Sequence, residues 1–344
     1  MKRNIIAVIG ALAAVAILIT ILAFSSEKNN TEPSLTYHVN QGFVFGTYYN
    51  IRYEAPADLQ DTIEACLRHF DFSLSTFNPN STISLINLNK SDLTDDLFEN
   101  MYRVAERVSE WSDGAFDITV APLVNLWGFG FKNRQEATQE RIDSIMPLVG
   151  YKKISLNNHH LLKQDKRILL DASAVAKGYS CDVVADLLRS LGCNNYLVDI
   201  GGEVVCRGLN DRHQPWGIGI TKPVDDTTGQ QTDIQAIVRS TALCMATSGN
   251  YRQFYYDNGI RRSHTINPRT GYPVNHSLLS ATIIAPSCAQ ADALATACMV
   301  LGDQKALQLI DKIDNTECYL IVFDSISQQN IVRQSKGMAH YLKK

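Results

Sequence analysis

Ala289-Gln290-Ala291-Asp292-Ala293-Leu294-Ala295-Thr296-Ala297 sets one carboxylate and one hydroxyl four residues apart in a segment of strong helical character, so Asp292 and Thr296 share a helix face. Carboxylate, hydroxyl and backbone carbonyl are hard oxygen ligands, which suit Mg²⁺ and similar cations, and the run holds no soft ligand. An alanine-rich core helix with an acid favoured by the helix dipole accounts for the same residues. The rest of the chain has to decide between the two.

With 344 residues and 45% apolar content, the chain can bury a large core. Its 32 basic residues against 35 acidic ones leave a net charge of -3, which argues against a nucleic-acid partner. Lys2 and Arg3 precede an apolar run from Ile5 to Phe24, about long enough to span a bilayer and longer than a usual signal-peptide core. Residues 1–25 are therefore expected to anchor the chain in a membrane, with the basic end cytoplasmic and everything after Ser25 exported. A cleaved signal peptide is the competing account, against which Leu22-Ala23-Phe24-Ser25-Ser26 is a poor small-x-small cleavage site. Residues 26–36 read as a tether, and 37–344 as one catalytic domain. The eight cysteines have no CxxC spacing and sit mostly in apolar contexts, so they read as buried small side chains.

Tyr37 to Tyr53 alternates polar and apolar residues around Gly46, a hairpin pattern. Ile63, Cys66, Leu67 and Phe70 mark a helix. Leu97, Met101, Val104, Val108 and Trp111 mark a second, with Thr94 as its N-cap and Gly114 at its end. A strand at 169–171 should lead into a helix that Gly192 terminates. Strands are expected at 196–205, 216–221, 234–246 and 279–285, then helices at 292–301 and 304–313 and a last strand at 318–323. Helices and strands mix without a βαβ period, which predicts an α+β fold.

Four further stretches carry polar chemistry. In Val198-Asp199-Ile200-Gly201-Gly202-Glu203 the glycines precede a strand, so a dinucleotide fingerprint is rejected and a glycine hairpin remains, one that lets a ligand lie close to backbone. Asp171 and Lys177 flank a helix start, where N–H groups and a lysine suit phosphate; an N-cap and a solvated helix charge suit the same residues. Gly114-Ala115-Phe116-Asp117-Ile118-Thr119 and Leu126-Trp127-Gly128-Phe129-Gly130 suit a planar ring, or are turns packed by their own aromatics. His264, just before the Asn267-Pro268 turn, is the best acid/base candidate among the histidines.

Taken in order and spacing, these segments resemble the ApbE family of FAD:protein FMN transferases. They are Phe45-Gly46-Thr47, Leu74-Ser75-Thr76-Phe77, Gly114 to Thr119, Asp171 to Tyr179, Gly201-Gly202, Thr247-Ser248-Gly249, Ser263 to Gly271 and Ala291 to Thr296. The resemblance implies an enzyme that binds FAD with Mg²⁺ or Mn²⁺, cleaves the pyrophosphate, releases AMP and joins FMN through a phosphoester to a Thr or Ser of a partner protein. It implies metal ligation by Asp292, Thr296 and the carbonyl of Ala174. FAD contacts carry over onto Phe45, Phe77, Ala115, Phe116, Asp117, Asp171, Lys177 and Ile266. His264 is expected to be the base that deprotonates the acceptor, with a positioning role as the alternative. Acceptors would be subunits of membrane respiratory complexes, of the sodium-pumping NADH:quinone reductase or Rnf type. The catalytic domain would then stand on the periplasmic side of a bacterial inner membrane. A metal-dependent FAD pyrophosphatase, or a flavin-binding module without catalysis, would use the same residues.

Overall fold

A computed structural model describes residues 34–130, 136–223, 233–250, 254–257 and 260–342. The expected anchor and most of the tether lie outside them. Among the described residues no helix is long and apolar enough to cross a membrane. The first half of the described chain forms β1 (Thr36–Val44), β2 (Thr47–Ala55), α1 (Gln60–Leu74), α2 (Thr82–Asn87), α3 (Asp96–Trp111), α4 (Ala121–Leu126), α5 (Gln139–Ile145), β3 (Ile154–Asn157), β4 (His160–Lys163) and α6 (Ser173–Ser190). The second half forms β5 (Tyr196–Ile200), β6 (Glu203–Arg207), β7 (Trp216–Thr221), β8 (Ile234–Ser240), β9 (Ala242–Gly249), β10 (Phe254–Asp257), β11 (Ile260–Ser263), β12 (Leu278–Ile284), α7 (Cys288–Leu301), α8 (Asp303–Ile310), β13 (Glu317–Asp324) and β14 (Gln329–Gln334).

Eight strands make the central sheet in the order β1-β2-β5-β6-β9-β12-β13-β14, antiparallel at each step from β2 to β14. Because side chains alternate across a strand, β6 sends Val204 and Cys206 to one face and Glu203 and Val205 to the other. Val204 and Cys206 join Met245, Ile284 and Ile321 in a core under the β7–β8 ribbon. The opposite face is covered by α6 and α7, whose apolar residues merge with those of α1 and α3. This is the expected α+β class, a mixed fold with its helices gathered on one face of an antiparallel sheet.

The helix at 292–301 begins four residues earlier than the apolar pattern suggests, at Cys288, where the Ser287 side chain accepts from Gln290 N–H. Along α7 every residue except Thr296 and Leu301 is buried, so the helix has no solvent face. Asp182 of α6 takes the first two backbone N–H groups of α7, those of Cys288 and Ala289, at 2.9 and 2.8 Å. One turn earlier on α6 and one turn later on α7, Gly178 N–H donates to Asp292 Oδ2 at 3.0 Å. The two contacts fix the register of α6 on α7.

Several expectations need correction. The N-cap of α3 is Asp95, whose Oδ1 accepts from Phe98 N–H, while Thr94 turns to Glu99. The strand stretch expected at 196–205 is divided at the glycine hairpin read at Gly201 and Gly202, both with positive φ, into β5 and β6. The stretch 234–246 is divided at Thr241: β8 pairs with β7 in the ribbon and β9 enters the main sheet. The strand at 318–323 is not the last, since β14 pairs with it along the sheet edge. α5 forms in a stretch for which no element was expected. No strand forms at 169–171. There the Asn87 side chain takes both backbone groups of Leu170, accepting its N–H at 2.7 Å and donating to its carbonyl at 2.9 Å, and Ile118 O accepts Asp171 N–H. A side chain thus does for this buried segment what a neighbouring strand would do.

Asn87→Ala should strand both buried groups of Leu170 and cost about 2–4 kcal/mol in urea denaturation. A loss under about 0.5 kcal/mol, the scale of a surface change, would contradict the accounting. For Gly178 the sign itself is informative. In an exposed helix Gly→Ala stabilises by about 1 kcal/mol. A Cβ here would sit 2.2 Å from Cys288 O and 2.8 Å from Asp292 Cβ. Gly178→Ala should therefore destabilise the protein by at least about 1–3 kcal/mol, read as a lower melting midpoint.

Candidate active site

The metal, flavin and acid/base candidates named through the family resemblance all line one cavity of about 650 Å³. Phe45, Phe77, Ala115, Phe116, Asp117, Asp171, Ala174, Lys177, His264, Ile266, Asp292 and Thr296 come together from six separate parts of the chain. The volume falls in the range of small-molecule and cofactor sites.

The apolar end is built from loops. Phe45 lies in the β1–β2 turn at φ 52° and packs on Phe70, with ring centroids 5.3 Å apart. Phe77 is largely exposed at the cavity edge, while Ala115 and Phe116 are buried in it. His264 meets the ring of Phe129 edge-on, with centroids 6.3 Å apart. Arg269 carries the loop of His264 and Ile266 against the Gly114 turn, donating to Ser112 O at 2.9 Å and to Asp113 O at 3.1 Å. Two segments about 150 residues apart thereby form one wall.

Asp117 is buried and fully engaged. Its Oδ1 accepts from Thr119 N–H and the Thr119 hydroxyl at 2.8 and 2.6 Å, and its Oδ2 from Tyr151 N–H at 2.7 Å. Burial still pushes its carboxyl above the usual range. Asp171 Oδ1 accepts from the N–H of Ser173, the first residue of α6, and Asp171 lines the cavity; it stands one residue before the N-cap Ala172, so the expected N-cap role is not its own.

The polar end lies where α6, α7 and β6 meet. Asp292 is 3% exposed and Thr296 sits one turn further on, its hydroxyl 3.3 Å from Ser248 Oγ of β9. Gly178 N–H, which donates to Asp292, is the group that α-helical geometry aims at the carbonyl of Ala174, so Ala174 and Asp292 converge on one donor. Lys177 Nζ donates to Glu203 Oε1 at 2.6 Å. Burial works against the Lys177 charge, but Glu203 and then Asp292 outweigh it and hold the ammonium above the ordinary lysine value. Burial raises the Glu203 and Asp292 carboxyls, and the attraction of Lys177 opposes it in both.

A hard cation fits this donor set. Asp292, Thr296 and Ala174, which carry a carboxylate, a hydroxyl and a backbone carbonyl, line the same cavity, and among the described residues no trio of His, Cys, Asp and Glu could hold a metal by itself. One carboxylate with neutral oxygens, completed by substrate phosphate or water, is the pattern of Mg²⁺ sites. The sequence reading passed over Glu203 and treated its neighbourhood only as a hairpin. The available signal was an acid directly before the apolar run Val204-Val205-Cys206.

The ApbE family pattern matches residues 45–320. A protein of Haemophilus influenzae named FAD:protein FMN transferase is 37% identical over 299 residues, covering 82% of this chain and 85% of that protein. One of the same name from Escherichia coli is 35% identical over 314 residues, covering 86% and 88%. Among solved structures, the flavin transferase ApbE from Vibrio cholerae superposes with a TM-score of 0.81 at 33% identity, over 90% of this chain and 100% of that one. The apo flavinyl transferase ApbE of Pseudomonas stutzeri gives 0.80 at 31%, over 90% and 97%. A shared fold, a match through most of the domain and identities above 30% have one meaning: the chain belongs to the ApbE family.

Proposed function

We propose that this protein is an FAD:protein FMN transferase that moves FMN from FAD to a Thr or Ser hydroxyl of a partner protein and releases AMP. The observation that carries the reading is the single cavity joining an aromatic end, the Lys177 ammonium, the oxygens of Ala174, Asp292 and Thr296, and His264, in a chain related to such transferases along most of its length.

The reaction balances as a phosphoryl-type transfer. The acceptor oxygen attacks the phosphorus that bears the riboflavin oxygen, the bond from that phosphorus to the bridging oxygen breaks, and AMP departs with the bridging oxygen. Phe45, Phe116 and Ile266 would hold the flavin ring, and Lys177 would offset charge on the pyrophosphate. His264 would take the proton of the acceptor hydroxyl. Mg²⁺ or Mn²⁺, held by Asp292, Thr296 and Ala174 O, would supply neutralisation of the pyrophosphate charge when bound. The basic start and apolar run of residues 2–24 support anchorage in the inner membrane, with the domain on the periplasmic side. Extracytoplasmic subunits of the sodium-pumping NADH:quinone reductase or Rnf complexes are the proposed acceptors, because an anchored domain would face them.

Incubation with FAD, Mg²⁺ and such a subunit should yield AMP and an acceptor heavier by FMN in intact-mass spectrometry. AMP and free FMN without an adduct would make the protein a pyrophosphatase instead. Asp292→Asn should lower transfer by at least about a hundredfold and abolish its response to added Mg²⁺. For His264→Ala, single-turnover transfer should slow by about 10²–10⁴ while FAD affinity, read by flavin fluorescence, stays within a few fold. Loss of affinity in step with rate would assign His264 to binding.

A further inference from the structure

Glu203 is 2% exposed, and only half of its carboxylate is matched. Oε1 accepts from Lys177, whereas Oε2 is buried with no hydrogen-bond partner. A half-satisfied buried charge costs stability that an apolar residue beside Val204, Val205 and Cys206 would not, so its retention calls for a use. Its place in the cavity suggests one. Lys177 adjoins Gly178, the residue whose N–H binds Asp292, and Lys177, Glu203 and Asp292 border the same space. A lysine ammonium is a compact charge on a flexible stem. Without Glu203, the buried acid within its reach is Asp292, and an ammonium seated there would occupy the place of a cation.

We propose that Glu203 is a positioning residue that holds the Lys177 ammonium off Asp292, leaving that carboxylate open to the divalent ion and the ammonium facing the anionic substrate. The proposal rests on the assignment of Asp292 as a cation ligand. Glu203 acts through Lys177.

Mn²⁺ binding to the full chain without FAD, followed by the loss of free-ion signal in electron paramagnetic resonance, tests it. Glu203→Asp keeps the charge but shortens the reach by one methylene. It should weaken Mn²⁺ binding by about tenfold or more, the scale of one charge-assisted contact. Lys177→Met alone removes the ammonium altogether and sets the reference affinity of the cycle. Added to Glu203→Asp, it should restore binding to the level of Lys177→Met, a sharp departure from additivity. Glu203→Asp binding Mn²⁺ as the wild type does, or effects that simply add, would overturn the proposal, because a charge acting at a distance gives those results. Should Glu203→Asp fail to melt cooperatively, Glu203→Gln enters the same cycle and is judged by the same non-additivity. Failure of the wild type to bind Mn²⁺ would remove the Asp292 assignment and this proposal together, whereas intact binding with additive variants removes only the proposal.

Discussion

The contact between α6 and α7 at Gly178 governs the rest of the cavity. The backbones approach so closely that a methyl group at Gly178 would overlap Cys288 O, and only at this separation does Gly178 N–H reach the Asp292 carboxylate. Asp182 repeats the tie one turn away by closing the N-terminus of α7. Two acids on two helices therefore point at each other's backbone. Sliding either helix would leave a buried carboxylate and several buried N–H groups unpaired. Asp292 is aimed by this constraint, and Thr296 follows it one helical turn later.

The sheet supplies the third partner. Its β5–β6 turn at Gly201 and Gly202 brings Glu203 inward, beneath the start of α6, where it meets Lys177. The result is a cluster of one ammonium and two buried carboxylates bordering a cavity with an aromatic far end. Such a cluster adds little to stability for its cost in desolvation. It does add a fixed field where an anionic phosphate chain and a divalent ion would sit. The fold is stabilised elsewhere, by apolar clusters on both faces of the sheet, which leaves this region open to function.

Loops complete what helices and strands begin. Arg269 fastens the His264 loop to the carbonyls at the end of the α3 turn, and Trp127 Nε1–H donates to Gly271 O at 2.8 Å from the other side. These links hold long irregular segments without regular pairing. They place an imidazole, an isoleucine and a phenylalanine around the same space without a strand or helix to carry them.

Much of this was legible from residue order. The four-residue spacing of Asp292 and Thr296, about one helical turn, the hairpin around Gly46 and the helix stripe from Leu97 to Trp111 are local patterns, set by backbone geometry over short stretches of chain. Position in a family pattern pointed further, to residues that the fold brings into one cavity. Local pattern failed where the deciding partner was distant. Leu170 looked like a strand because it is apolar and extended, yet its bonds go to the side chain of Asn87, eighty-three residues away. Residues 234–246 read as one strand because nothing in their composition shows that half pairs with β7 and half with β6 and β12. Glu203 showed only as an acid ahead of an apolar run, and its use was not legible, since its partner Lys177 lies on another element and their pairing exists only when β6 and α6 are packed. The sequence by itself determined which residues could form helices, turns and a hard-ligand face. Tertiary structure alone decided which charges would be buried together, because desolvation and ion pairing depend on neighbours that chain order does not specify.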